Sequence, residues 1–462
     1  MFARFCFLLA GLLVSAWSVV AGPPEKKRKD IPQRVVQLKS ELLRPCEVSV
    51  AINPKNPKHF VASALGYPKK PGGSKNASFV SFDAGKTWKA VLMPNPDNRT
   101  QGDDAVAFGP DGTVFHTYIS FTGLRRKRAP RVSSGIFCNS SKDGLKWKKP
   151  VPVVDHINTD EPFEDKPWIV CDCSEDSPHK GNIYVAWTKF DVYGSRDPKD
   201  KSHIYFSRST NGGKSFTPSW KISDFPGDAL DDDDTVEGAV PAVGPKGEVY
   251  VAWAGPKGLV IDKSTDGGVT FGKDTFISKM PGGWNIPVKG IPRHNGLPIT
   301  KVDCSKGKFR GSVYVNWIDE RNGDPDVFVS HSRDGAKTWS KPIRVNDDKV
   351  KNGVAQMFAW MAVDPVDGSV NVIFHDRRGL KGTNTGVTLA RSVDGGKTFV
   401  NYRVKQKPSE FRPVLFFGDY NGIAARGGRV VAVYPHFTGK KSIEVSAAVF
   451  RFQPGTQKPH IE

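Results

Sequence analysis

The sequence has only one long apolar run, and that run lies near the start of the chain. Arg4 provides a positive charge, residues 5–20 are mostly apolar, and residues 19–21 (Val-Val-Ala) form a small-residue cleavage pattern. These features predict a secretory signal peptide over residues 1–21, cleaved near Ala21. The run is too short to favour a membrane anchor, and no other stretch approaches spanning length. We therefore expect an exported protein, extracellular or periplasmic, without membrane insertion.

Cysteine is scarce, with six residues in the whole chain. Loss of Cys6 with the signal peptide leaves Cys46, Cys138, Cys171, Cys173 and Cys304. An odd number of cysteines in an exported protein leaves at least one thiol unpaired. Cys171 and Cys173 lack the spacing of a metal pair, and no histidine cluster accompanies them. A disulfide from one of them to Cys304 is our hypothesis, and other pairings stay open.

Several common site motifs are missing. The chain contains neither Gly-x-Ser-x-Gly nor His-Glu-x-x-His, and its Gly-Gly pairs stand in turns rather than ahead of helices, so no phosphate-binding loop is indicated. Residues 231–234 are four consecutive aspartates, a ligand type that suits Ca²⁺, but they lack EF-hand spacing. We expect an exposed acidic loop there, with a structural Ca²⁺ as the alternative and no other cofactor.

Lysine and arginine outnumber aspartate and glutamate, and the formal net charge is +19. This balance favours acidic partners such as anionic glycans, acidic polymers or a negatively charged cell surface. The densest basic patch, residues 125–128, predicts a solvated loop, with polyanion binding as the alternative. Nucleic acid is a poor candidate because no recognised binding motif is present in a chain predicted to be exported. We expect a monomer that binds an acidic glycan or another anionic ligand.

The most informative feature that is present is a repeated octet, Ser-x-Asp-x-Gly-x-Thr-aromatic, found six times with variations. The copies start at Ser81, Ser141, Ser209, Ser264, Ser332 and Ser392. Starts 55 to 68 residues apart indicate an array of similar units. The octet has the chemistry of a hairpin turn, because Asp and Ser side chains accept hydrogen bonds from nearby backbone N–H groups and Gly supplies a positive φ.

This octet is the Asp box, so the chain resembles the secreted Asp-box (BNR) repeat propellers of the sialidase-like superfamily. The resemblance implies an all-β fold, a β-propeller of four-stranded antiparallel blades. In that family each box lies on the turn between the two outer strands of a blade, away from the ligand face. The boxes therefore indicate the architecture and leave the chemistry open.

A second repeat predicts the number of blades. Seven runs with β-branched and aromatic residues have the pattern of a buried second strand, each after an inner-strand segment. They are residues 59–67, 113–121, 182–190, 248–254, 312–318, 369–375 and 429–436. Seven such pairs against six boxes predict seven blades, and six blades, as in known sialidases, are the alternative.

The last predicted blade lacks a box and supplies only three strands, over residues 418–452. Residues 34–38 are predicted to return as its fourth strand and to close the ring, which leaves no open sheet edge. The predicted organisation is a signal peptide (1–21), a basic segment with the closing strand (22–45), the propeller (46–453) and a tail (454–462).

One face of this propeller, here called the channel mouth, collects the starts of the inner strands and the ends of the second strands. The inner strands bring Glu47, Asp103, Asp104, Asp165, Glu237 and Asp419. The second strands bring Asp319, Glu320, Arg321, His375, Asp376, Arg377, Arg378 and His436. Crowded charges are costly unless they pair or bind a ligand. The channel mouth is therefore the candidate site, with a structural ring of ion pairs as the alternative.

The resemblance also suggests roles at the mouth. Tyr420 stands at the start of the last inner strand, where sialidases place a nucleophilic tyrosine, and Asp419 or Glu237 would be the acid/base. The candidate substrate-binding residues are Arg321, Arg377, Arg378, His375, Asp165, Asp103 and Glu47. Arginines suit this role because their planar forks match a substrate carboxylate.

The chain departs from the sialidase pattern in several places. No Arg-Ile-Pro occurs in the first blade, and residues 291–293 (Ile-Pro-Arg) have a different order and lie in mid-chain. Asn384 and Thr385 stand where another arginine is expected, and Gln356 where the family often has Glu. Two functions stay open: a sialidase-type exo-glycosidase acting on acidic glycans, and a non-catalytic propeller that binds a glycan or a protein.

Overall fold

The structure, a computed structural model, describes residues 28–41, 43–68, 72–123, 132–159, 161–413, 416–439 and 442–460. The predicted signal peptide and the basic patch at residues 125–128 lie outside these ranges. Within them the chain is almost entirely strand and turn, and the one helical element is a 3-10 turn at Pro96–Asn98. No helix in the described residues has the length and apolar character needed to cross a bilayer.

The strands form seven antiparallel sheets, arranged as blades around a central channel. The first strand, β1 (Gln33–Leu38), precedes the first inner strand. Blade 1 contains β2 (Leu43–Ile52), β3 (Phe60–Pro68), β4 (Lys75–Ser81) and β5 (Lys89–Leu92). Blade 2 contains β6 (Thr100–Phe108), β7 (Val114–Thr122), β8 (Ser133–Ser141) and β9 (Val151–Ile157). Blade 3 contains β10 (Phe163–Cys171), β11 (Ile183–Phe190), β12 (Ser202–Ser209) and β13 (Trp220–Lys221).

The second half of the chain repeats this order. Blade 4 contains β14 (Glu237–Val243), β15 (Val249–Gly255), β16 (Gly258–Ser264) and β17 (Thr275–Ser278). Blade 5 contains β18 (Ile299–Val302), β19 (Val313–Asp319), β20 (Asp326–Ser332) and β21 (Ile343–Arg344). Blade 6 contains β22 (Gln356–Val363), β23 (Val370–Asp376), β24 (Asn384–Ser392) and β25 (Val400–Arg403), with β26 (Ser409–Glu410) also paired to β24.

Blade 7 is built from both ends of the chain. It contains β27 (Gly422–Arg426), β28 (Arg429–Gly439) and β29 (Ser442–Arg451), and β1 is its outer strand. β1 runs antiparallel to β29, from the pair Gln33 and Phe450 to the pair Leu38 and Val445. The prediction of seven blades is confirmed and the alternative of six is wrong. The sequence indicated the closing strand because the last blade supplies only three strands of its own.

The Asp boxes lie on the turns between the third and fourth strands of blades 1 to 6, as the sequence predicted. In the fourth box Asp266 Oδ1 accepts hydrogen bonds from the backbone N–H groups of Val269 (2.9 Å) and Thr270 (3.0 Å). Ser264 Oγ accepts one from Gly268 (2.9 Å), whose φ is 73°. Because the inner strands end beside these turns, we call this end of the ring the box face.

The core lies between neighbouring blades. The second strands carry sequences close to Val-Tyr-Val-Ala-Trp, and Trp187, Trp253 and Trp317 are at most 1% exposed. Burying an aromatic side chain of this size stabilises the fold by roughly 1.5–3 kcal/mol. These tryptophans therefore hold adjacent blades together around the ring.

The five described cysteines all carry free thiols. Cys173 Sγ donates to the Phe108 carbonyl oxygen (3.2 Å), and Cys304 Sγ donates to the Val243 carbonyl oxygen (3.3 Å). The disulfide hypothesised between Cys171 or Cys173 and Cys304 is therefore absent. The three residues do lie together, because all of them line one cavity at the box face.

Closure of the ring predicts a stability effect. A chain that begins at residue 40 lacks β1 and leaves β29 as an unpaired edge, so we expect its melting temperature to fall by about 5 °C or more and its aggregation to increase. Differential scanning fluorimetry and light scattering measure the two effects. A chain that begins at residue 28 keeps β1 and is the control. Equal melting temperatures for the two chains would show that β1 does not support the ring.

Candidate functional site at the channel mouth

Five inner strands begin with the same backbone irregularity. Each of β2, β6, β10, β14 and β22 has a β-bulge near its start. A residue with positive φ lies in each bulge: Glu47 (35°), Asp103 (40°), Lys166 (47°), Gly238 (78°) and Phe358 (52°). A bulge changes the direction of a side chain, and a positive φ is uncommon outside glycine. The repeated bulge brings the charged side chains of blades 1 to 3 to the channel axis.

Asp419, in the segment before β27, is the centre of the resulting cluster. Its Oδ2 lies 2.8 Å from Lys166 Nζ, and its Oδ1 lies 3.3 Å from Arg293 Nε. Its backbone N–H donates to Glu47 Oε1 (3.0 Å), and its carbonyl oxygen accepts from Asn295 Nδ2 (3.3 Å). One buried residue thus joins blade 1, blade 3 and the connection between blades 4 and 5 to the start of blade 7.

Arg293 belongs to residues 279–298, the connection between β17 and β18, which we call the mouth loop. Its guanidinium group binds both carboxylate oxygens of Asp231, at 2.9 and 3.0 Å, a geometry that gives strong, directional pairs. The Tyr193 hydroxyl donates to the same carboxylate (2.6 Å). These contacts, together with the Arg293–Asp419 pair, hold the mouth loop against the cluster.

The mouth loop also contacts blade 6. His294 Nε2 accepts a hydrogen bond from the Phe358 N–H (3.3 Å), which lies in the bulge of β22. The carbonyl oxygen of Lys289 accepts from Arg377 Nη2 (2.7 Å). The loop therefore crosses the mouth from blade 4 to blade 6 and covers the cluster.

Tyr420 lies in the same cluster, with only 6% of its surface exposed. Its hydroxyl donates to Asp103 Oδ1 (2.9 Å), and its ring centroid lies 5.6 Å from that of Trp168 and 5.5 Å from that of Trp360. Burial, followed by the nearby carboxylates of Asp103 and Glu47, raises its pKa well above the ordinary value. The adjoining cavity holds about 30 Å³, room for about two water molecules and not for a sugar ring.

The acids of the mouth have opposite pKa shifts. Burial raises the pKa of Glu47, Asp165 and Glu237, and the carboxylate of Asp103 raises it further for the first two. Burial acts the same way on Asp419, but Arg293 and Lys166 outweigh it and hold its pKa at about 2. A protonated acid beside an ionised carboxylate is the arrangement of a catalytic pair. Here both groups are closed in by the protein.

Glu237 is the least well paired acid of the cluster. It is fully buried, and neither carboxylate oxygen has a hydrogen-bond partner among the described residues. Lys166 Nζ lies 3.7 Å away and is closer to Asp419, at 2.8 Å. Because burial raises the pKa of Glu237 and the nearby cations lower that of Asp419, Glu237 keeps its proton to a higher pH than Asp419 does.

The structure thus brings together six of the predicted site residues, and it places the others differently. Those together are Glu47, Asp103, Asp165, Glu237, Asp419 and Tyr420. Arg377 contacts Thr385 Oγ1 (3.1 Å) and the mouth loop. His375 is a buried core histidine whose Nε2 lies 2.9 Å from the Pro435 carbonyl oxygen, and burial lowers its pKa to about 3.

Arg321 and Arg378 form their ion pairs apart from the Asp419 cluster. Each pairs with the aspartate two residues earlier, Asp319 or Asp376, at the end of its own second strand. The Arg321 guanidinium also stacks 4.7 Å from the Phe328 ring centroid, whereas Arg378 pairs with Asp347. No described contact joins either arginine to Asp419 or Tyr420. Arg321 also donates to Ser278 Oγ (3.1 Å) in blade 4 and to the Lys279 carbonyl oxygen (3.0 Å) of the mouth loop.

The aspartates of the acidic run at residues 231–234 bind different partners. Asp231 binds Arg293, while Asp232 accepts from Asn285 Nδ2 (3.1 Å) and Asp233 from the Asn285 N–H (2.7 Å). Within the described ranges, no group of three or more His, Cys, Asp or Glu side chains is arranged to hold a metal ion. The run fastens the mouth loop through its carboxylates.

Sequence reasoning missed three members of the cluster: Lys166, Arg293 and Tyr193. Lys166 follows an acid that had been assigned to the mouth, so its position was a usable signal. Residues 291–293 do not follow the family order, so the resemblance assigns no role to Arg293. The only sequence signal for it is the long connection after the fourth box, since the next strand, β18, begins at Ile299.

Comparison with known proteins supports the architecture. A family model for the BNR/Asp-box repeat matches residues 79–90, which include the first box. No curated protein matches the chain by sequence. An α-L-arabinofuranosidase (GH93) of Fusarium graminearum in complex with arabinobiose is 13% identical, with 91% of this chain and 98% of that chain covered and a TM-score of 0.50.

Two further solved structures give similar values. A protein of unknown function from Dyadobacter fermentans DSM 18053 is 14% identical, covering 90% of this chain and 97% of that one with a TM-score of 0.49. The Hadza microbial sialidase Hz136 is 13% identical, covering 85% and 76% with a TM-score of 0.47. At these identities the likeness concerns the fold alone.

The buried acid Glu237 predicts a pH effect on stability. The folded protein keeps the Glu237 proton above the pH, about 4.3, at which the unfolded chain releases it. The wild type therefore loses stability as the pH rises through that range, and Glu237→Gln removes this loss. We expect equal stability near pH 4 and a more stable variant at pH 8, measured by urea unfolding. A less stable variant at pH 8 would show that Glu237 is ionised and paired with Lys166.

The ion pairs of Arg293 predict that the packing of the mouth loop depends on this one side chain. Arg293→Gln leaves Asp231 without its cation and leaves Asp419 with Lys166 alone, so we expect a loss of about 3 kcal/mol in the free energy of unfolding. Hydrogen exchange over residues 279–298 should increase as well. Arg403→Gln breaks an exposed pair with Asp30 and should cost less than about 1 kcal/mol. If both variants lost the same free energy of unfolding, the ion pairs of Arg293 would stabilise the protein no more than the exposed pair of Arg403 and Asp30 does.

Proposed function

Since the chain is a seven-bladed Asp-box propeller whose mouth is filled by its own side chains, we propose that it is an exported binding protein that holds an acidic glycan or a similar polyanion without cleaving it. The main support is the charge balance at the mouth. Lys166 is paired with Asp419, and Arg293 is paired with both Asp231 and Asp419. Neither cation is available to bind the carboxylate of a sialoside.

The state of Tyr420 supports the same proposal. Attack by its hydroxyl requires loss of the proton, and the raised pKa of Tyr420 opposes that loss. The mouth loop leaves a cavity of about 30 Å³ beside the ring. A glycan would therefore bind to the basic surface of the propeller, which follows from the net charge of +19, and not inside the mouth.

Sialidase-type hydrolysis is the second candidate, because one contact favours it. Tyr420 donates directly to Asp103, a carboxylate able to accept its proton. Arg377 also has no carboxylate partner among the described residues, and its guanidinium contacts Thr385 and the Lys289 carbonyl oxygen. Hydrolysis would require the mouth loop to move so that a sugar reaches Tyr420.

The test combines turnover with binding. Wild type and Tyr420→Phe are incubated with fluorogenic sialosides and arabinofuranosides, and both are run in native gels that contain an acidic or a neutral polysaccharide. We expect no turnover, and retardation by the acidic polysaccharide that is equal in the two proteins and weakens with added salt.

The other outcomes are distinct. Wild-type turnover that collapses in Tyr420→Phe would establish the second candidate, because the substitution removes only the hydroxyl group. Absence of both turnover and retardation would overturn the binding proposal. Equal retardation by the neutral polysaccharide would show that the charge of the ligand is not recognised.

A further inference from the structure

Below the mouth, the channel widens toward the box face into two adjoining cavities, of about 230 and 470 Å³. Lys301 and Arg426 line both of them. Trp168 and Trp360, whose ring centroids lie 4.5 Å apart, separate the upper cavity from the small cavity beside Tyr420. We call the two adjoining spaces the box-face cavity.

Lys301 places a positive charge in this cavity without a protein partner. It lies on β18, the inner strand of blade 5, and no described carboxylate or carbonyl group forms a hydrogen bond or an ion pair with its ammonium group. Burial alone lowers its pKa to about 8, and no neighbouring carboxylate opposes that shift. A charge in such a place is costly unless something binds it.

The charges around the opening do not balance Lys301. Two carboxylates line the wider cavity, and each already has a cation: Glu175 pairs with Lys180, and Asp176 pairs with Arg310 (2.6 Å). Arg426 makes no ion pair within the described part of the chain. Lys55 and Lys306 add two exposed ammonium groups to the same lining. The cavity therefore has a surplus of positive charge.

Apolar and polar groups contribute similar shares of the walls between these cations. The upper cavity is lined by side chains from six of the seven inner strands, including Val106, Ile169 and Ile423. A concave cavity in which apolar side chains stand beside a few convergent polar groups is a common form of small-molecule site. The apolar side chains in these walls strengthen the attraction between a half-buried cation and an anion.

From this geometry we propose that the box-face cavity binds a small oxyanion, either inorganic sulfate or phosphate or the carboxylate of a sugar acid. Lys301 is its deep contact and Arg426 its second contact. This site lies at the opposite end of the channel from Tyr420 and takes a small ligand, so it is independent of polysaccharide binding at the outer surface.

The test measures binding to wild type and to Lys301→Met, which keeps the length of the side chain and removes its charge. Isothermal titration uses sodium sulfate, sodium phosphate and sodium galacturonate in separate experiments at constant ionic strength. We expect binding of at least one anion to the wild type, weakened about tenfold or more in Lys301→Met. The matched control is Lys349→Met, a change at an exposed lysine outside the cavity, which should bind as the wild type does.

Thermal denaturation checks the fold and supplies a second measurement. Without anion, Lys301→Met should melt at or above the wild-type temperature, because it removes a half-buried ammonium group that has no partner among the described residues. Millimolar anion should raise the melting temperature of wild type and Lys349→Met, and not that of Lys301→Met. General salting-out would instead raise all three equally.

The proposal is overturned if the wild type binds none of the three anions, or if folded Lys301→Met binds them as the wild type does. The choice among the anions identifies the source of the ligand. Binding of sulfate or phosphate indicates a free inorganic anion, and preference for galacturonate indicates a sugar acid. The native-gel experiment tests polysaccharide binding at the outer surface. Its failure would leave the result for the box-face cavity unaffected.

Discussion

The bulges at the start of the inner strands are the constraint on which the channel mouth depends. They bring Glu47, Asp103 and Lys166 to the channel axis, where the mouth loop covers them. Carboxylates held so close together in a buried place need cations, and Lys166 and Arg293 supply them. The path of the mouth loop follows from this need, because Arg293 reaches Asp419 only if the loop crosses the ring.

The architecture was predictable because it depends on local, repeated signals. The Asp box is a turn motif that is complete in eight residues, and the paired strand runs gave the number of blades even where the box is missing. The acids of the mouth were also predictable, since equivalent positions of inner strands must lie near the axis. Arg293 was not, because its place depends on tertiary contacts of a long loop. The sequence pattern also did not reveal that Arg321 and Arg378 each pair with the aspartate two residues earlier.

The two ends of the channel differ in how their charges are satisfied. At the mouth the buried cations bind protein carboxylates, and the space left is about 30 Å³. At the box face Lys301 has no such partner among the described residues. The wider cavity there, of about 470 Å³, has more than ten times the volume of the cavity at the mouth. The fold alone gives no reason to prefer either end, since propellers host many functions. The difference comes from the residues on the inner strands. β14, for example, contributes the acid Glu237 at the mouth, whereas β18 contributes Lys301 at the box face.

The closing pair of β1 and β29 has a consequence for the order of folding. Gln37 and Glu444, which contact each other across this pair, are 407 residues apart in the chain. Blades 1 to 6 each use one continuous stretch of chain, so they form from local contacts as synthesis proceeds. Blade 7 has to wait for the last strand, and contacts of such long range form slowly. Until then β1 lacks the partner strand with which it forms the outer edge of blade 7.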